Sequence, residues 1–194
     1  LDGAHAEAVR EGSVDLQRFF CFSHAFVRVT VCQRSHVMQA IREFDDHDAY
    51  IRRNRKPLTQ EFINTSIAGR DYQIRAIRSV LEGIEKKQRD FLLVMATGTG
   101  KTRTASSLTD VLSRGKWVTN ILFLADRTAL VKQAKDDFKN YLPDMSLCNL
   151  CSNKDDRNAR IVFSTYPTIL NAIDDTKSKD GRQLFTPAHF DLII

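Results

Sequence analysis

Residues Phe91 to Thr104 read FLLVMATGTGKTRT: a short apolar run enters a glycine turn and leaves it through Lys101 and Thr102. The full phosphate-loop pattern carries a first glycine where this chain has Met95, so the strict pattern fails at one residue. The remainder, Gly98-Thr99-Gly100-Lys101-Thr102, is intact and lies between a predicted strand and a predicted helix, which is the context the motif requires. A helix starting near Lys101 leaves unpaired backbone N–H groups and the positive end of its dipole at the turn. Gly98 and Gly100 let the backbone curl with those N–H groups inward and no Cβ in the way. Lys101 supplies a cation for outer phosphates, and the Thr102 hydroxyl is placed to ligate Mg²⁺. The first position has only to leave the strand and begin the loop, so a methionine there is tolerable.

Strands and helices alternate on both sides of this turn. Upstream, Ile77, Val80, Leu81 and Ile84 in RDYQIRAIRSVLEGIEKK follow amphipathic helical spacing. DFLLVMA reads as a buried parallel strand, and the next helix, about 101–114, packs Leu108, Val111 and Leu112. VTNILFLA is a second buried strand, followed by a helix with Val131, Ala134 and Phe138 on one side. ARIVFST and FDLII supply a third and a fourth strand. This order predicts an α/β domain with a mainly parallel sheet. Residues 1–35 are less informative, although Val27, Val29 and Val31 alternate as a half-buried strand would. Val37, Ile41 and Phe44 have helical spacing, and DDHDAYIRRNRKPLTQ reads as a charged linker or an exposed helix followed by a turn.

The chain has 194 residues, of which 42% are hydrophobic and 27% charged, so it can bury a real core. Its formal net charge of +5 leans toward a polyanionic partner. Cys21, Cys32, Cys148 and Cys151 are too few and too scattered for a disulfide scaffold. Cys148 and Cys151 form a CxxC without a second ligand pair, so they read as reduced thiols near a loop. No apolar run reaches transmembrane length, and a membrane association is not expected. With no initiator Met and a last run of FDLII, both ends look cut from something longer.

Taken together, MATGTGKT, the upstream IAGRDYQ and the downstream ILFLADRTALVKQA resemble the first motor domain of superfamily-two helicases and translocases. The resemblance is greatest to the restriction (R) subunit of type I restriction–modification enzymes, and it covers roughly residues 56–194. It implies a RecA-like P-loop NTPase fold, truncated at the motif II strand. The implied division is an unassigned upstream part, 1–35; a helical, charged linker, 36–69; and the N-terminal part of the motor domain, 70–194. ATP and Mg²⁺ are the implied cofactors. The implied nucleotide contacts are Arg70, Gln73, Ala96, Thr97, Gly98, Thr99, Gly100, Lys101, Thr102 and Arg103, with Lys101 and Thr102 in catalytic roles and Thr102 reaching the metal. On its own, Gln73 reads as an ordinary exposed helix residue; the resemblance turns its amide toward the adenine edge.

LADRTAL resembles the segment with which this family grips the nucleic-acid backbone, so Arg127 and Thr128 are candidate phosphate contacts; otherwise the Asp-Arg pair only caps a helix. FSTYPT resembles a later backbone-contacting segment with Thr165 and Tyr166 as candidates; otherwise it is a strand end with a turn at Pro167. The implied partners are double-stranded DNA and the modification and specificity subunits of a restriction complex, in the cytoplasm. The alternatives are another DEAD/DEAH-type helicase, a type III restriction subunit, or a P-loop nucleotide binder with no motor activity. HFDLII resembles the strand before the family's Asp-Glu pair, and the chain ends at Ile194. Without that pair and a second motor domain, the 194 residues alone are expected to be inactive. The strand that this fold normally sets between the loop strand and the motif II strand is also missing, which predicts a rearranged sheet or an unstable piece.

Overall fold

The computed structural model describes residues 26–31, 55–152, 158–175, 185 and 189–194, with residues 26–31 and 174–175 as backbone only. The expectations for Val37, Ile41 and Phe44, for the charged stretch up to residue 54, and for Cys21 and Cys32 lie outside the described residues. Six strands and four α-helices follow in the order β1 (Phe26–Val31), α1 (Asp71–Glu85), β2 (Asp90–Val94), α2 (Lys101–Arg114), β3 (Ile121–Ala125), α3 (Thr128–Tyr141), β4 (Leu147–Asn149), β5 (Ile161–Thr165), α4 (Tyr166–Asp175) and β6 (Leu192–Ile193).

The strands form one sheet in the order β2-β1-β6-β3-β5-β4. β6, β3, β5 and β4 are parallel neighbours, while β1 runs antiparallel to both β2 and β6. Five strands therefore share one direction, and the mainly parallel α/β sheet is as expected. The place between the loop strand and the last strand is filled by β1, which pairs along Phe26 to Thr30 with β2 and through Thr30 and Val31 with β6. The sheet is thus rearranged around an upstream strand, with no gap among the described strands.

Helices cover both faces, which explains why β3 and the first three residues of β5 are apolar without alternation. On one face, α1, α2 and α3 bury Ile77, Leu81, Leu108, Leu112, Val131 and Phe138 against Ile121, Ile161 and Phe163. On the other, Ile169 and Ala172 of α4 meet Leu122, Val162, Cys148 and Phe185. Phe123, Phe138 and Phe163 form an aromatic knot with ring centroids 5.1 to 5.5 Å apart, a spacing at which edge-to-face contacts are favourable.

Four local readings change. β2, expected as a buried strand, lies at the edge of the described sheet, with Leu92 and Val94 exposed and an antiparallel pairing to β1. β4 stands where a loop was expected, and it places Cys148 wholly inside the core. α4 begins at Tyr166, where a turn at Pro167 was the competing reading; proline is accepted in a first helical turn because its missing N–H would have had no helical partner there. Within the stretch assigned to a linker, Leu58, Ile63, Ile67 and Ala68 are buried in the core shared by α1 and α2. Arg114 ties this stretch down, donating to the Glu61 carboxylate at 2.8 Å and to the Phe62 carbonyl at 2.8 Å.

Phe163→Ala removes the ring that touches both other members of the aromatic knot. It should cost about 3–5 kcal/mol of stability, read as a lower Tm by circular dichroism; an unchanged Tm would show that the knot is not a packing centre.

Candidate nucleotide-binding site

β2 ends at Val94, and α2 begins at Lys101. Within the intervening turn, only Gly98 (φ 78°) and Gly100 (φ 85°) have left-handed backbone. Met95 does not, so no glycine is required at its position. Gly100 is the N-cap of α2 and offers no side chain to the first-turn N–H groups. Those donors, with the dipole behind them, suit an anion.

Lys101 folds over the turn. Its Nζ donates to the Ala96 carbonyl at 3.1 Å and to that of Met95 at 3.5 Å. The Thr99 hydroxyl donates to the Ala96 carbonyl at 2.7 Å. Among the described residues the ammonium is thus held by neutral carbonyls, which an entering phosphate can replace with a charge-assisted pair. Thr102 stands half-buried in the first turn of α2. Among the described residues no group of three or more His, Cys, Asp or Glu could hold a metal ion. A single threonine hydroxyl fits a magnesium ion carried mainly by phosphates and water, not a protein cage.

A cavity of about 300 Å³ opens beside the turn. Arg70 and Gln73 line it from the start of α1, Gly98 and Gly100 from the turn, and Arg103 from α2, with Thr65 and Gly69 completing it. Arg103 also donates through Nε to the Tyr141 hydroxyl at 2.9 Å, with its guanidinium 5.2 Å from that ring's centroid. This links the cavity to the end of α3.

Gln73 differs from the reading of its residue type alone. It is 2% exposed, so it is not a surface residue. Its amide is engaged within the protein, donating to the Thr99 carbonyl at 3.1 Å and accepting from the Arg70 N–H at 3.3 Å. It braces the turn from the wall of the cavity. Tyr72, given no role by the sequence, does the same: its hydroxyl donates to the Thr99 carbonyl at 2.7 Å and accepts from Arg70 at 2.9 Å. Its place beside Gln73 in RDYQ was the one available signal.

Two further candidate pairs lie on neighbouring strands. The β3–β5 register sets Ala125 beside Thr165, so the residues that follow both strands share the edge that bears the glycine turn. Arg127 is 77% exposed at its side chain, 3.5 Å from the Asp126 carboxylate, and is the N-cap of α3 without capping its N–H groups. Thr128 is exposed in the first turn. Thr165 is buried, its hydroxyl 2.8 Å from that of Thr168 and 4.0 Å from Cys151 Sγ. Tyr166 is half-buried at the start of α4. The structure brings the two pairs together, but only the first presents open groups.

A family model described as Type III restriction enzyme, res subunit, matches residues 66–194. The chain belongs to this family. Among curated relatives, the Type I restriction enzyme EcoAI endonuclease subunit of Escherichia coli is 35% identical over 140 residues, 71% of this chain and 17% of the relative. The EcoKI endonuclease subunit of Escherichia coli K12 is 46% identical over 71 residues, 37% of this chain and 6% of the relative. The SsaAORF53P endonuclease subunit of Staphylococcus saprophyticus is 27% identical over 88 residues, 45% of this chain and 10% of the relative. The chain therefore spans less than a fifth of each relative's length. No solved structure matches. The matches agree with the resemblance drawn from the motifs and with the RecA-like P-loop fold. No helix among the described residues is long and apolar enough to cross a membrane.

Both glycines of the turn are testable. A Cβ on Gly100 would lie 2.5 Å from Gln73 Nε2, whereas one on Gly98 would meet nothing within 4 Å. Each Ala variant bears the left-handed strain of about 1–2 kcal/mol, and Gly100→Ala also displaces the brace. Titration with a fluorescent ATP analogue should show Gly98→Ala weakened roughly tenfold and Gly100→Ala weakened further; the reverse order would refute the bracing role of Gln73.

Proposed function

We propose that this chain is the nucleotide-binding part of the first motor domain of an ATP-dependent DNA translocase, the restriction subunit of a type I restriction–modification enzyme. The observation that carries the reading is the left-handed glycine turn between β2 and α2, with Lys101 folded over it and a cavity alongside. The N–H groups of the turn and Lys101 would hold the phosphates of ATP, and Thr102 would reach the magnesium ion that travels with them. Arg70 and Arg103 would flank the base. Bound Mg·ATP supplies the electrophilic phosphorus and its charge-neutralising metal; the chain's own part is to position and desolvate them.

Arg127 and Thr128 would hold a DNA phosphate through a guanidinium and uncapped helix N–H groups. Thr165 would act by fixing the start of α4 through Thr168, leaving Tyr166 as the contact there. Such contacts are blind to base sequence, as a translocating motor needs. The whole protein would hydrolyse ATP to move duplex DNA and cleave it within a complex with modification and specificity subunits; the names of the relatives, all endonuclease subunits of type I restriction enzymes, support this. A type III restriction subunit is the second reading, favoured by the family's own description.

The test is nucleotide affinity with and without duplex DNA, beside Lys101→Ala. The alanine variant should lose at least about tenfold in affinity for a fluorescent ATP analogue, as expected for a lost charge-assisted contact. Duplex DNA should change nucleotide affinity, and nucleotide should change DNA affinity by the same factor. Nucleotide binding that ignores DNA would favour a non-motor P-loop protein instead.

A further inference from the structure

The edge of the sheet opposite the glycine turn, where the strands begin, gathers lysines from three separate segments. α1 ends at Glu85 and is followed by Lys86 and Lys87; α2 ends at Arg114 and is followed by Gly115 and Lys116. Lys56 belongs to the segment that crosses both helix ends. Its N–H donates to the Gly115 carbonyl at 3.0 Å, and its carbonyl accepts from Trp117 Nε1 at 2.8 Å. Three residues on, the Thr59 N–H donates to the Glu85 carboxylate at 3.1 Å. Residues 56–59 span roughly 10 Å at most, so the three lysine-bearing segments share one face.

Two of these lysines sit where a lysine is uncomfortable. Lys87 (φ 67°) and Lys116 (φ 60°) are the only non-glycine residues with left-handed backbone among the described residues. Each follows a helix end closed by a long backward bond: Gln88 N–H to the Gly83 carbonyl at 2.9 Å, and Trp117 N–H to the Leu112 carbonyl at 2.9 Å. Glycine takes that position without strain. Lys56, Lys86, Lys87 and Lys116 are all exposed. The nearby carboxylates are partly occupied: Glu61 holds Arg114 at 2.8 Å and Lys56 at 3.8 Å, and Glu85 takes the Thr59 N–H. Glu82 and Asp90 are exposed acids near the same helix end, and Arg55, 4.5 Å from the Trp117 centroid, and Arg89 add to the positive side.

We infer that this edge is a second contact surface for the phosphate backbone of duplex DNA, separate from Arg127 and Thr128 at the other end of the strands. Four point charges spread over one face, presented on turns that enter no groove, match regularly spaced phosphates and read no bases. The choice of duplex DNA as the polyanion rests on the translocase reading; the surface itself does not.

The test is Lys86→Gln with Lys87→Gly and Lys116→Gly, which removes three charges while relieving the backbone at two of them. The variant should melt at or above the unmodified chain, so lost binding cannot be unfolding. Anisotropy of a fluorescein-labelled duplex should show affinity down at least about tenfold at 50 mM salt, and a slope of log affinity against log salt reduced by about 3. Unchanged affinity and slope would overturn the inference, as would displacement of the duplex by polyglutamate at equal charge, which would mean an acidic protein partner. The same variant should keep its affinity for the ATP analogue. Should Lys101→Ala leave nucleotide binding intact while the triple variant loses the duplex, the motor reading falls and this surface stands.

Discussion

The site depends on Gly100 having no Cβ. Its left-handed backbone turns the chain from β2 into α2, and the space a Cβ would take is where Gln73 Nε2 reaches in. That approach lets one amide hold the Thr99 carbonyl from α1 while its oxygen caps the Arg70 N–H. Tyr72 adds a second bond to the same carbonyl. The turn is therefore held from α1 by two side chains, and the first-turn N–H groups of α2 take no side-chain cap. Met95 is harmless because it contributes only its carbonyl, an atom every residue has.

The parallel strands then decide what else is near. Because β3 and β5 run side by side in register, the turns after them open on the same edge as the glycine turn. A single layer of backbone hydrogen bonds thus gathers Lys101, Arg127 and Tyr166 from stretches that are far apart in the chain. Asp191 secures the opposite end, accepting the N–H groups of Thr119 and Asn120 at 2.9 and 3.0 Å where β3 begins.

Much of this was legible in the sequence, for physical reasons. ILFLA is an unbroken apolar run, IVFST is buried along its whole length, and α1 to α3 repeat their apolar residues at helical spacing. What escaped depends on tertiary contacts. LCN is too short to show a period. Leu58, Ile63, Ile67 and Ala68 are scattered among charges and become core only once Arg114 pins their segment to α2. Pro167 reads as a breaker unless its place in a first turn is known. The contact of the Gln73 amide with the Thr99 carbonyl escaped because that carbonyl lies on a loop 26 positions away.

The placing of β1 also sets an order of assembly. β2 joins the rest of the sheet only through β1, and Val31 pairs with Leu192 near the other end of the chain. The parallel layer of β3, β5 and β4 can form from neighbouring segments, but the strand carrying the glycine turn joins it only after a loop spanning most of the chain has closed. Such closure is entropically costly and slow, so the glycine turn is expected to be among the last parts of the described sheet to become rigid.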